Sequence, residues 1–472
     1  MSILDADDGG DLAGALAALQ SDEEGELSLH DGSRVAVIGG GPAGSLFSYF
    51  LLQMAENVGL EIEINIFEPR HFTHRGAAGC NHCGGVVSES LVQTLAAEGV
   101  NLPPKVVQRG IECYALNQDV GTVEIATPLN EKRIAAVYRG NGPRQSEPLE
   151  FIGFDRYVQD LAEQKGARIV RKLVSGLQRL GGGIRVLCPD GSGGDFDLAV
   201  VATGVNSHFL EGVDGLEIGY SGPETRKAFL CEFPLGRKEI ENRLGAALQI
   251  FLLDMPGLKF AGLIPKGDLA TMCVIGENID EQLIEAFLEA PEVKRCFPDG
   301  SVPPHICHCF PRVNTRSAVK PFADRIVMIG DTGTTRLYKD GIGGAYRTAK
   351  AAARTVMFSG ISEDDFRQHY WPTCEKIESD NNIGRFLFAV TRQVQKWRFL
   401  RRAVLNMTAA EQRRATGPRR MSSVLWDVFT GSAPYKEVLL NTFHPAYVAT
   451  LTWHIMLSLV IGVFSFGSRG QR

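Results

Sequence analysis

The chain has 472 residues, is 44% hydrophobic and 22% charged, and carries a net charge of −6. That length exceeds one simple core and predicts two or three domains. The acidic balance argues against general nucleic-acid binding, so no nucleic-acid partner is expected.

Residues 1–33 are acidic and rich in Gly, Ala and Ser, with no basic or apolar signal segment, and read as a disordered leader. Without an export signal the ten cysteines should be reduced, unless they are redox-active or bind metal. From Val35 to Ile38 an apolar β-type run meets Gly39-x-Gly41-x-x-Gly44, with Pro42 and Ala43 inside the turn and a helical apolar segment after it. This turn places a pyrophosphate on a helix N-terminus. A second strand, EIEINIF, leads into Glu68-Pro69, where an acid accepts from a ribose 2′-OH. Residues 69–88 form a loop rich in Gly and Cys that holds Cys80-Asn81-His82-Cys83. Three readings compete there: Cys83 as a lone active-site thiol, a Cys80/Cys83 redox dithiol, or half of a metal site completed by Cys307-His308-Cys309. Cys113, Cys188, Cys231, Cys273, Cys296 and Cys374 are expected to pack in the core.

Residues 88–99 look helical, 105–150 alternate as strands, and 154–174 give a helix stopped by Gly166 and then a strand. Arg156 stands at the start of that helix. A hairpin follows and ends in a buried strand with Ala202-Thr203-Gly204. Residues 225–310 return to β character with a helix near 280–290, and 325–356 read as a strand, Gly330-Asp331, the glycine loop Gly341-Ile342-Gly343 and a helix. Residues 361–444 are helical and basic. The run 446–466 has no Asp, Glu, Lys or Arg, which matches the ~20 residues of a membrane helix. A span over 445–467 is the expectation, with an interfacial or a core helix as alternatives. The cytoplasmic face of a membrane is then the expected location.

The predicted fold is α/β: a Rossmann-like domain interrupted into 34–99, 151–209 and 319–360, with 100–150 and 210–318 as a β-rich substrate domain. A cleft between two domains is the usual place for a substrate.

Gly39/Gly41/Gly44, Ala202-Thr203-Gly204 and Gly330-Asp331, in that order, resemble the flavoprotein group with the para-hydroxybenzoate hydroxylase fold. The resemblance implies FAD, with Asp331 facing a ribityl hydroxyl and the Gly341–Gly343 amides facing a phosphate or the flavin ring. Within that group, Cys83-Gly84-Gly85-Val86-Val87-Ser88, Pro265-Lys266-Gly267-Asp268 and Gly341-Ile342-Gly343-x-Ala345 resemble the geranylgeranyl reductase family. The similarity spans 34–360. It implies that Gly84 and Gly85 lie beside the isoalloxazine and that Arg156 is a flavin-side arginine. It also implies an enzyme that reduces C=C bonds of isoprenoid or lipid-like substrates, with hydride from FADH2 and a proton from Cys83 or water. The chain departs from the family at its aromatic box, which here reads Phe260-Ala-Gly262-Leu-Ile264-Pro265. The hydroxylase segment Asp-Gly-x-x-Ser-x-x-Arg is replaced by Thr203-Gly204-Val-Asn-Ser207, which argues against direct NAD(P)H reduction and leaves the electron donor unknown. A quinone-linked dehydrogenase is the alternative. A monooxygenase or halogenase is less favoured, because neither signature is present.

Overall fold

The computed structural model describes residues 27–80, 83–127, 134–143, 151–209 and 218–467, the last seven of these without their side chains. In chain order the strands are β1 (Arg34–Ile38), β2 (Glu63–Phe67), β3 (Val86–Val87), β4 (Val107–Ile111), β5 (Cys113–Gln118), β6 (Gly121–Ala126), β7 (Ile134–Val137) and β8 (Arg168–Val170). They continue with β9 (Gly176–Arg179), β10 (Ile184–Leu187), β11 (Gly194–Phe196), β12 (Leu198–Val201), β13 (Thr225–Pro234) and β14 (Ala247–Phe251). The last six are β15 (Leu258–Lys266), β16 (Leu269–Gly276), β17 (Cys307–Cys309), β18 (Arg312–Asn314), β19 (Phe322–Ala323) and β20 (Ile326–Met328). The helices that matter here begin with α1 (Pro42–Val58), α2 (Glu89–Ala97), α3 (Phe154–Gln164), α4 (Glu281–Glu289) and α5 (Gly341–Phe358). The C-terminal region adds α6 (Trp371–Lys396), α7 (Arg398–Gln412), α8 (Arg420–Thr430), α9 (Tyr435–Thr442) and α10 (Pro445–Gly467).

The nucleotide sheet has the order β19-β20-β12-β1-β2-β8, and all its pairings are parallel except β19/β20. Its central strands are near-continuous apolar runs because both faces are covered. Val35 and Val37 join the core under α1, α3 and α5, while Ala36 and Ile38 join the core under β9–β11. The chain leaves β1 in one direction to β2 and later returns on its other side as β12. The end of β1 is therefore a topological switch point, where open α/β sheets bind ligands.

The second sheet has the order β17-β13-β16-β15-β14-β5-β6, with β18 also on β13. One face packs on α4 through Phe233, Phe251 and Phe287. The other takes the C-terminal helices, with Tyr114 edge-on to Trp426 at 5.2 Å and Leu405 and Phe429 beside them. The strands expected at 105–150 do not form one sheet. β5 and β6 join the large sheet, whereas β4 and β7 pair with β3 in a three-stranded sheet.

The expected membrane helix is not supported. Among the described residues no helix is long and apolar enough to cross a membrane. Helix α10 does form, but one flank is spent on protein: Tyr447 is 7% exposed and donates to Met421 Sδ at 3.5 Å, Leu451 packs on the core of α7 and α8, and Ser458 is buried. Its opposite flank exposes Trp453, Met456, Leu459 and Val460. The basic tract is also partly used for folding. Arg401 is buried and reaches Asp119 through Nε at 2.6 Å and Nη2 at 3.0 Å, docking α7 on the β5–β6 turn.

Candidate functional site

The switch-point turn is built from backbone contacts too close for side chains. A Cβ on Gly44 would stand 2.0 Å from Gly39 O and 2.9 Å from Val37 Cγ1. Gly41 caps α1 and Pro42 opens it. At the end of β2, Glu68 is 2% exposed. Its Oε2 accepts from Gly40 N at 3.0 Å, and its Oε1 accepts from Arg70 N and Nε. Two carboxylate oxygens offer about four acceptor positions, so capacity for a hydroxyl is left. Behind it, Arg171 donates to Gln159 Oε1 at 2.9 Å and to Arg70 O at 2.7 Å, tying the turn to α3.

The strand ends Thr203-Gly204 and Gly330-Asp331 meet beside this turn. Gly204 N donates to Thr332 Oγ1 and Gly330 N to Thr348 Oγ1, each at 2.9 Å. Asp331 stands near the start of α5, where a Cβ on Gly341 would lie 3.9 Å from its Oδ1. Burial raises the Asp331 pKa, and the neighbouring Arg139 opposes that shift. The expectation for the Gly341–Gly343 amides needs one correction. Asp340 Oδ1 accepts from Gly343 N at 3.2 Å as the helix cap, so Gly341 and Ile342 hold the first two amides that face outward.

The loop before α5 is clasped by the C-terminal helices. Tyr338 and Asp340 both adopt positive φ (61° and 57°), which turns Lys339 between them toward α8. There Lys339 Nζ donates to Val428 O at 2.6 Å and Phe429 O at 3.2 Å, and it lies over the ring of Phe260. Burial, with Arg336 nearby, lowers its pKa from 10.5 to about 7. Between those values the unfolded chain binds more protons than the folded one, so stability rises with pH across that window. The expected gain is on the order of 1–2 kcal/mol between about pH 7 and about pH 9. Urea midpoints should show it for the natural chain, and Lys339→Met should lose that slope.

Cys83-Gly84-Gly85 lies across β15 and against β7. Gly85 has φ +71° and accommodates no Cβ, which would stand 1.9 Å from Val137 O and 3.1 Å from Lys266 Nζ. The Cys83 thiol accepts from Gly85 N at 3.4 Å. The guanidinium of Arg139, two residues past β7, lies near Cys83 and forms a two-point pair with Asp155 of α3, including Nη2 to Oδ2 at 3.0 Å. Burial lowers the Arg139 pKa, but Asp155 outweighs this and the net shift is upward. Arg139 thus stands among Cys83, Asp155 and Asp331, and it was not singled out in the sequence. Its signal was a charged residue closing an otherwise apolar strand, IAAVYRG.

Arg156 is used differently from its expected flavin-side place. It pairs with Asp160 on its own helix and reaches Glu163 at 3.4 Å. An i,i+4 partner one turn away captures its charge locally.

The sheet face under the cysteine loop gathers further polar groups. Cys309 and Cys273 flank Leu230 of β13 on either side, and Cys307 and Thr271 flank Glu232. Gly262, Ile264 and Lys266 continue the same face on β15. Cys273, expected to be a packing residue, therefore belongs to this face. Burial pushes Cys307 up to about 11, and Cys309 and Cys273 up to about 12, with Cys80 or Cys83 among the neighbours that add to each shift. Such thiols stay protonated at neutral pH and are weak nucleophiles and weak metal ligands. Cys80 and Cys83 are both unbridged; Asn81 and His82 between them lie outside the described residues. No group of three or more His, Cys, Asp or Glu is placed to hold a metal ion among the described residues.

No family model and no curated protein matches this sequence. Solved structures do match in fold. A geranylgeranyl bacteriochlorophyll reductase-like protein from Thermoplasma acidophilum superposes with a TM-score of 0.63 at 15% identity, over 88% of this chain and 99% of that one. A flavoprotein/dehydrogenase from Cytophaga hutchinsonii gives 0.56 at 14%, over 92% and 100%. The halogenase PltM in complex with FAD gives 0.58 at 12%, over 93% and 92%. At such identities the likeness establishes the fold alone, an α/β architecture shared with these proteins.

Proposed function

We propose that this chain is an FAD-dependent oxidoreductase that reduces a C=C bond of an isoprenoid or lipid-like substrate. The observation that carries the reading is the meeting of three parts at one place. Gly330 sits against Ala43 of the switch-point turn, Asp331 lies by Gly341, and Arg139 stands near both Asp331 and Cys83, next to Gly84 and Gly85. The residues fit the cofactor. Gly39, Gly41, Pro42, Ala43 and Gly44 would hold the pyrophosphate, and Glu68 the ribose. Thr203, Gly204, Gly330 and Asp331 would hold the ribityl side, while Gly341, Ile342, Gly84 and Gly85 would flank the ring. Bound and reduced, FAD supplies the hydride. The chain's own part is to position the substrate against that ring, to exclude water, and to hold a proton at the Cys83 thiol. Arg139, near that thiol, would orient it. The reductase-like structural relative supports the substrate class, and Cys83-Gly84-Gly85 supports the placement.

A second reading, a quinone-linked dehydrogenase, is favoured by the polar groups Lys266, Tyr138 and Glu232 on the substrate side. One experiment separates the two. The FAD-loaded protein is reduced with dithionite without oxygen, then mixed with a geranylgeranyl lipid or with menaquinone. The expected result is flavin reoxidation by the lipid, with two hydrogens added to its side chain by mass spectrometry. Cys83→Ala should slow that step about 10²-fold or more, the range of a lost general acid. Reduction of menaquinone with its side chain untouched, and no reaction with the lipid, would replace the first reading by the second.

A further inference from the structure

Lys266 closes β15, is 1% exposed, and has no hydrogen-bond or ion-pair partner among the described residues. Its contact is the ring of Tyr138, 4.6 Å away. Tyr138 is itself 6% exposed, and its Oη is buried without a partner among the described residues. The carboxylate of Glu232, on the same sheet face, faces Lys266 electrostatically but beyond ion-pair distance, and it accepts from the Thr271 hydroxyl at 2.8–2.9 Å. A cation and a hydroxyl are thus desolvated side by side, with their donors unspent. A buried ammonium with no hydrogen-bond acceptor and a buried hydroxyl with no partner both carry a desolvation cost. A fold carries that cost where a ligand relieves it.

The chemistry of the pair selects the ligand. Lysine offers donors only, and a phenol beside it offers one more. Together they suit a compact acceptor oxygen. One side of the surroundings is apolar: Ile264 and Leu248 on the same sheet face and Val86 beyond Gly85. Gly84 and Gly85 pass directly over this spot, with a Gly84 Cβ position 3.2 Å from Ile264 Cδ1. The subsite therefore adjoins the segment that would flank the flavin. An unfunctionalised hydrocarbon chain would leave both donors unpaired.

We propose that Lys266 and Tyr138 form an oxygen-acceptor subsite, and that the substrate is an apolar molecule bearing a carboxylate, phenolate or conjugated carbonyl oxygen. This rests on the reading of this junction as the substrate site of a flavin enzyme, and it deepens that reading by adding an oxygen-bearing head to the apolar substrate. Lysine donates to the oxygen, tyrosine shares it, and the apolar walls take the body of the molecule.

The test uses the full chain loaded with oxidised FAD. Benzoate and 1,4-naphthoquinone serve as oxygen-bearing probes and toluene as the apolar control, with binding followed by flavin absorbance and by equilibrium dialysis. Both oxygen probes should bind the natural chain. Lys266→Met should weaken benzoate about ten-fold or more, and Tyr138→Phe several-fold, the loss expected for hydrogen bonds to a charged and a neutral partner. Lys266→Arg should keep most of the affinity, and toluene should not distinguish the variants. Equal benzoate binding by the natural chain and Lys266→Met overturns the proposal, as does binding of toluene alone. Loss of FAD from both Lys266→Met and Tyr138→Phe, with native circular dichroism, assigns the pair to the cofactor and also overturns it. A natural chain that takes up no FAD defeats the flavin reading instead, while dialysis with benzoate still decides this one.

Discussion

Gly44→Ala should yield a chain that purifies with at least about ten-fold less FAD than the natural one. The added methyl would lie 2.0 Å from Gly39 O, a backbone atom that no rotamer change can move aside. The turn must open, α1 must lift from β1, and the amides that would meet the pyrophosphate lose their shared direction. Overpacking of this kind also costs about 1–3 kcal/mol of stability. Gly181→Ala is the matched control, because nothing lies within 4 Å of its Cβ position. The ratio of flavin to protein absorbance after gel filtration measures the effect. Full flavin occupancy in Gly44→Ala, at natural stability, would show that this turn does not hold the cofactor.

Arg139→Met should lower unfolding stability by about 3–5 kcal/mol, the cost of removing one member of a buried ion pair. Asp155 is wholly buried and 15% of the Arg139 side chain is exposed, so water reaches the pair poorly. The double variant Arg139→Met with Asp155→Leu should recover much of the loss, because paired charges often repay little more than their desolvation. Urea midpoints on the single and double variants give the comparison. A single-variant loss under about 1 kcal/mol would mean that water or a rearranged neighbour satisfies Asp155. The same substitution removes the guanidinium from Cys83 and Asp331. It should therefore slow reoxidation of reduced flavin more than Arg156→Met, whose charge is held by its own helix.

Much of the nucleotide half was readable because its rules are local. The glycine turn, the acid at the end of β2 and the two later strand ends each need particular residue types within a few positions, so the pattern survives in one dimension. The helix at 154–164 and its stop near Gly166 were legible from period and capping in the same way. Lys266 and Glu232 were not legible as a site. Each stands alone in an apolar strand, and only the lateral register of β13, β16 and β15 brings them to one face. Arg139 escaped for a similar reason, since its partners Asp155, Cys83 and Asp331 come from three separate stretches of chain. Residues 446–466 present the opposite case. Hydropathy reports that a segment is apolar but not what covers it, and here α7 and α8 cover one flank through Tyr447 and Leu451.

The sequence alone therefore determined the kind of cofactor turn, the order of its supporting strand ends and the cysteine loop, because backbone geometry near glycine, carboxylate and helix N-terminus depends on neighbours in the chain. Tertiary structure alone decided the surroundings of that loop. Strand register and helix docking set which charges lose their water, and the desolvated, unspent Lys266 and Tyr138 are consequences of that packing rather than of any motif.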